Sequence, residues 1–120
     1  MQPTFFETRS FTASLPDYLN DDEYRGLQEA LLKNPMSGDV MQGTGGFRKM
    51  RWPDSRRRKG KSGGLREIYY WIGQDKQIWM FAIYDKDEMS DLSPDEKKYL
   101  KNAIETELKL RKARKSRGAP

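Results

Sequence analysis

The chain has 120 residues, a formal net charge of +5, no histidine and no cysteine, which suits one domain with a modest core; no apolar run approaches a bilayer span. The missing residue types exclude disulfides, thiolate and imidazole metal sites and any Ser/His/Asp triad, so an enzyme built from this sequence moves protons through Lys, Tyr or carboxylates. Only 35% of residues are hydrophobic, yet three Trp, six Tyr and five Phe supply the bulky anchors that disordered chains lack.

Thr4 to Thr8 has strand-forming character, and Ser10 is placed to cap a short helix ending near Pro16. A second helix starts at Asn20 or Asp21, with Asp21, Asp22 and Glu23 in its first turn and an apolar stripe of Tyr24, Leu27, Ala30 and Leu31 before Pro35 stops it. The two helices are expected to form a hairpin. SGDVMQGTGG reads as a glycine-punctuated turn, followed by a strand with Phe47, Lys49 and Arg51 on one face and Arg48, Met50 and Trp52 on the other. Ser55 to Gly64 is cationic and glycine-rich with nothing apolar to bury, so a mobile surface loop is expected. Leu65 to Ile72 and Gln77 to Tyr84 read as strands joined by a Gly73 to Lys76 turn. Alternation groups Arg66, Ile68, Tyr70 and Ile72 on one face, and Ile78, Met80, Ala82 and Tyr84 on another. Ser93, Pro94 and Glu96 start a final helix, in which Leu100, Ala103, Ile104, Glu107, Leu108 and Arg111 follow helical spacing. The order strand, helix, helix, three strands, helix predicts an α+β domain with a small, mainly antiparallel sheet, a helical hairpin and a C-terminal helix. The domain is expected over residues 1–113, with 114–120 a basic, flexible tail.

Charge is segregated. Nine cations, Arg48, Lys49, Arg51, Arg56, Arg57, Arg58, Lys59, Lys61 and Arg66, stand against Asp54 alone; Lys109 to Arg117 adds six more, and the remainder is net acidic. A patch of one sign on a body of the other is the footprint of a protein that docks on a polyanion, most often nucleic acid. A neighbouring strand can place Arg66 beside Lys49 and Arg51, while Tyr84 and Lys86 leave the end of the next. RNA cleavage by the 2′-hydroxyl needs that proton removed, a dianionic phosphorane stabilised and the departing 5′-oxygen protonated. Arginine serves the middle step because its fork spans two phosphate oxygens and stays charged. Lys49 or Lys86 is the candidate base, and Tyr84 a proton shuttle or a platform for a stacked base. Arg48, Arg56, Arg57, Arg58, Lys59 and Lys61 are candidates for gripping the RNA backbone, although basic segments are more often plain backbone-binding or solvated surface. Tyr70, Trp71, Trp79 and Phe81 read as packing residues, and Gly43, Gly45 and Gly46 as turn residues, since no GxxxxGKS/T is present. Asp85, Asp87, Glu88 and Asp91 read as capping or salt-bridging residues; no metal and no cofactor are expected.

Three segments in order, GDVMQGTGGFRKMRW, GGLREIYYWI and FAIYDKDEMSDLS, together with the order of elements, resemble the RelE/ParE superfamily of bacterial toxins, closest to its HigB-like branch. The resemblance implies the toxin of a type II toxin-antitoxin module: a metal-independent mRNA interferase that cleaves translated mRNA at the ribosomal A site and inhibits translation. By motif, the family's basic pair matches Lys49 and Arg51, its strand-opening arginine matches Arg66, and its Tyr-x-Lys matches Tyr84 and Lys86. Asp87 stands where some relatives are basic, and Ser93 lies near the place of an aromatic that some members carry. Implied partners are a HigA-like antitoxin, the ribosome and mRNA, with operator DNA reached only through the antitoxin complex; a cytoplasmic protein without membrane association is expected. Two other functions fit the same residues: a ParE-like gyrase-poisoning toxin, and a non-catalytic RNA-binding protein.

Overall fold

A computed structural model of the chain describes residues 2–56, 64–89 and 91–118. In chain order its elements are β1 (Thr4–Glu7), α1 (Arg9–Ser14), a 3-10 turn at Leu15–Asp17, α2 (Asp21–Lys33), β2 (Asp39–Val40), β3 (Arg48–Trp52), β4 (Leu65–Ile72), β5 (Gln77–Asp85) and α3 (Pro94–Gly118). The strands form one sheet in the order β1-β5-β4-β3-β2, antiparallel except for β1 beside β5. This is the α+β architecture that the sequence predicts, with one strand added. β2 lies in the stretch read as a turn and is too short for alternation to reveal it.

Local capping chemistry sets the helix boundaries. Thr8 caps α1 in place of the expected Ser10: its Oγ1 accepts from the Phe11 N–H at 3.2 Å and donates to the Phe81 carbonyl at 3.0 Å. Asn20 and Glu23 form a reciprocal capping box on α2. Ser93 and Glu96 form another on α3, at 2.8 and 3.1 Å, each cap contributing about 1 kcal/mol. α3 continues past the expected boundary at residue 113 to Gly118. Its distal part is held by Asp75, which accepts from Arg111 at 2.8 Å and Lys115 at 2.9 Å. Leu108, expected in the apolar stripe, is exposed: beyond Ile104 the helix meets the sheet through Arg111, whose guanidinium lies over the Trp79 ring.

The sheet separates two cores. Phe11, Leu19, Leu27 and Leu31 pack on Leu65, Tyr69, Ile78, Met80 and Ile83 on one face. On the other, Leu100 and Ile104 of α3 pack with Met41, Phe47, Ile68 and Tyr84, and Phe47 meets the Phe81 ring edge-on at 4.6 Å. Like β4, β5 supplies both cores by alternation, but a bulge resets its register: Ile68 pairs with Ala82 and Tyr69 with Met80, leaving Phe81 as the extra residue. The predicted common face of Ile78, Met80, Ala82 and Tyr84 is therefore broken. Ile78 and Met80 turn toward α1 and α2, whereas Ala82 and Tyr84 turn toward α3. On β4 the alternation holds.

After α2 the chain closes onto β4 through Tyr69, whose hydroxyl accepts from the Gly38 N–H at 2.9 Å and donates to the Pro35 carbonyl at 2.7 Å. A Cβ at Gly38 would lie 2.9 Å from the Tyr69 ring, so this approach requires glycine.

Candidate functional site

β3, β4 and β5 set three of the expected residues in one cross-strand row: Arg51 opposes Arg66, and Arg66 opposes Tyr84. Directly opposed residues of antiparallel strands project to the same side, here the face that α3 covers further along. Lys49 occupies the next row, opposite Ile68. Arg51 is exposed and Arg66 half-buried. Arg66 Nη1 donates to the Leu65 carbonyl at 3.1 Å, and two guanidinium forks set side by side on neighbouring strands have the geometry to span one phosphate.

Lys49 Nζ lies 3.8 Å from one oxygen of Asp91, and Lys97 Nζ lies 3.4 Å from the other. The Leu92 N–H bond, with the two ammonium groups, holds the Asp91 carboxyl below its usual range. Tyr84 sits deeper, packed in the cluster that Met89 and Leu92 border. Its hydroxyl is shielded from solvent and has no hydrogen-bond partner among the described residues. Burial foremost, and Asp91 secondarily, push this phenol above its ordinary value of 10 while Arg66 opposes them. At neutral pH the group is therefore a donor and not a base. Lys86 is exposed in the turn after β5; its backbone N–H bonds to the Gly64 carbonyl at 3.1 Å, and its ammonium forms no ion pair among the described residues.

The residues expected to grip RNA are placed differently. Arg48 points away from Lys49 and Arg51, and its Nη1 donates to the carbonyls of Met36 at 3.1 Å and Gly38 at 2.8 Å. It braces the segment before β2. Arg56 is drawn inward: it donates to Asp54 at 2.8 Å and Asp85 at 3.2 Å, and stacks over the Tyr18 ring at 4.7 Å. The Asp54 side chain is fully buried and that of Asp85 nearly so, so Arg56 balances two shielded carboxylates where a solvated loop was expected. Arg57, Arg58, Lys59 and Lys61 lie outside the described residues.

Of the acids in the 85–91 stretch, Asp85 and Asp91 take the ion-pairing and backbone-capping roles read from the sequence. Asp85 accepts from Arg56 and from the Asp87 N–H, Glu88 accepts from the Tyr18 hydroxyl at 2.8 Å, and Asp91 holds the two lysines. Gly43, Gly45 and Gly46 all have positive φ, which makes the preceding stretch a tight turn.

Two groups escaped the sequence reading. Glu67 is fully buried with neither carboxylate oxygen hydrogen-bonded among the described residues, and burial raises its pKa well above 4.5. The signal was present, because Glu67 alternates with Leu65 and Tyr69 on the face beneath α1 and α2. Lys97, Lys98 and Lys101 of α3 line an open cleft beside the 42–43 turn; no local pattern separates them from an ordinary solvated helix flank. An apolar groove of about 320 Å³, lined by Phe81, Ala82, Leu92, Tyr99 and Leu100, carries Asp95 and Glu96 and has no cation to receive a phosphate.

The elements and their connections define a RelE-like fold. Among solved structures the chain is similar to the E. coli toxin RelE in the free state, determined as a mutant with two arginines changed to alanine. The TM-score is 0.52 at 13% sequence identity, covering 75% of this chain and 90% of that one. The likeness is one of fold. No family model matches the chain, and no helix among the described residues is long and apolar enough to cross a membrane.

Proposed function

We propose that this protein is a toxin of a type II toxin-antitoxin module, a HigB-like endoribonuclease that cleaves translated mRNA at the ribosomal A site. The observation that carries the reading is the in-register row Arg51, Arg66 and Tyr84 with Lys49 beside it. In the reaction the 2′-oxygen bonds to phosphorus as the bond from phosphorus to the 5′-oxygen breaks. Arg51 and Arg66 hold the phosphorane oxygens. The free amine of Lys49, deprotonated and drawn away from Asp91, or that of Lys86 at the open end of β5, receives the 2′-hydroxyl proton. Tyr84 donates to the departing 5′-oxygen once its hydroxyl, shielded in this conformation, is opened to the substrate. Lysine and arginine are poor proton-transfer groups at neutral pH, so orientation carries more of the rate, and a ribosome holding mRNA in an in-line conformation supplies it. The partners are a cognate, HigA-like antitoxin, the ribosome and mRNA.

In vitro translation with purified protein, followed by mapping of mRNA 5′ ends, tests this reading. New ends inside coding regions are expected with the native chain and none with Arg66→Ala. Growth arrest without new ends would point instead to a poison of a protein target such as gyrase.

A further inference from the structure

The face of α3 opposite the apolar groove carries Lys97, Lys98, Lys101, Asn102 and Glu105 along one flank, and with Gln42, Gly43 and Pro94 they enclose an open cleft of about 760 Å³. No large apolar side chain lines it; three lysines and one glutamate do, and of the lysines Lys97 is already paired with Asp91. The cleft joins the cross-strand row through Asp91, which holds Lys97 with one oxygen and Lys49 with the other. Lys97 and Lys101 are one turn apart, about 6 Å along the helix at 1.5 Å per residue, a step close to that between phosphates of an extended strand. Gln42 and Asn102 add amides able to pair with base edges, which are accessible only where the strand is unpaired.

We propose that this cleft binds the backbone of single-stranded RNA and is the track along which the strand leaves the Arg51–Arg66 site. The inference rests on the ribonuclease reading for its choice of polyanion, and it assigns Lys98 and Lys101 phosphate contacts that replace those expected of Arg48 and Arg56. Asp91 is then the hinge of charge between site and track: strand binding draws Lys49 and Lys97 from the same carboxylate.

Fluorescence anisotropy of a labelled oligouridine across a salt series tests it. The double substitution Lys98→Gln and Lys101→Gln is expected to weaken binding about tenfold at low salt and to reduce the log–log salt slope by about 1.4, at about 0.7 per phosphate contact on a single strand. The charge-matched double Lys109→Gln and Lys112→Gln, on exposed positions further along α3, is expected to leave the slope within experimental error. Equal losses from both doubles would reduce the effect to overall charge and overturn the track. So would an unchanged slope, undetectable oligouridine binding by the native chain, or binding of a duplex as tight as the single strand. The ribonuclease reading fails separately: a native chain that binds oligouridine through Lys98 and Lys101 yet leaves translated mRNA intact keeps the track and loses the enzyme. Cleavage by a double variant that binds like the native chain does the reverse.

Discussion

Tyr84 shows how little a residue's identity says without its surroundings. A tyrosine at a strand end is commonly a packing residue, and this one is buried; what sets it apart is a hydroxyl without a hydrogen-bond partner among the described residues, in the same row as Arg66 and under the influence of Asp91. Leaving a buried hydroxyl unbonded costs about 1–3 kcal/mol, so Tyr84→Phe is expected to leave the melting temperature unchanged or slightly raised. If the phenol protonates the leaving oxygen, the same variant loses about 10²–10⁴-fold in single-turnover cleavage of ribosome-bound mRNA; full activity would reduce Tyr84 to packing. Glu67 poses the complementary problem on the other face of the sheet. Its folded-state pKa is raised by burial, so the folded protein keeps a proton that the unfolded chain releases above about 4.5. Stability is then fully present below that pH and falls as pH rises toward the folded value, by up to about 1.4 kcal/mol per pH unit. Glu67→Gln, which stays neutral, is expected to flatten this decline, and parallel pH profiles of urea midpoints for the two proteins would rule it out.

At the scale of elements, the bulge in β5 and the carboxylate cluster at its end decide what the basic segment can do. Were Phe81 to take a regular place in the ladder, so that β5 alternated strictly, Tyr84 would point with Ile78 and Met80 under α1 and α2, away from Arg66. Thr8 stabilises the bulge by donating to the Phe81 carbonyl while capping α1, so one side chain couples a helix start to the register of the site. Where the segment leaves β3, Arg56 holds Asp54 and Asp85 together and joins that end to the end of β5. Arg56→Ala is expected to cost about 2 kcal/mol, below the 3–5 kcal/mol of a fully buried pair because Arg56 remains 42% exposed. Chemical denaturation reads this as a lower midpoint at constant slope, with oligouridine affinity nearly unchanged. A large loss of affinity at full stability would restore Arg56 to the RNA-gripping role.

For the whole molecule, the basic balance, with a sequence pI of about 9.5, favours any polyanion and so gives affinity without choosing a substrate. Choice comes from orientation, and a site without histidine depends on it more than most. Cleavage of translated mRNA is expected to exceed that of the same RNA without ribosomes by several orders of magnitude, since effective molarities of well-oriented reactions are large. Efficient turnover of an unstructured oligonucleotide in a ribosome-free assay would contradict this expectation and place a competent base in the chain itself.

The sequence by itself determined the absence of imidazole and thiol chemistry, the order of the predicted elements, the shared face of Lys49 and Arg51, and the Ser93–Glu96 start of α3. These are legible because alternation and capping act between residues two to four apart. The tertiary structure decided the rest: the bulge that aims Tyr84, the withdrawal of Arg48 to the Met36 and Gly38 carbonyls, the capture of Arg56 by Asp54 and Asp85, the burial of Glu67, and the shared carboxylate that brings Lys97 to Lys49. Some of these partners are far apart in sequence, 29 residues for Arg56 and Asp85 and 73 for Thr8 and Phe81, and Arg48 reaches carbonyls 10 and 12 residues back. Even Arg56 and Asp54, two residues apart, pair as they do because packing has buried the carboxylate. Local patterning leaves such partners open, and the packing of α3 and the helical layer onto opposite faces of one sheet selects them.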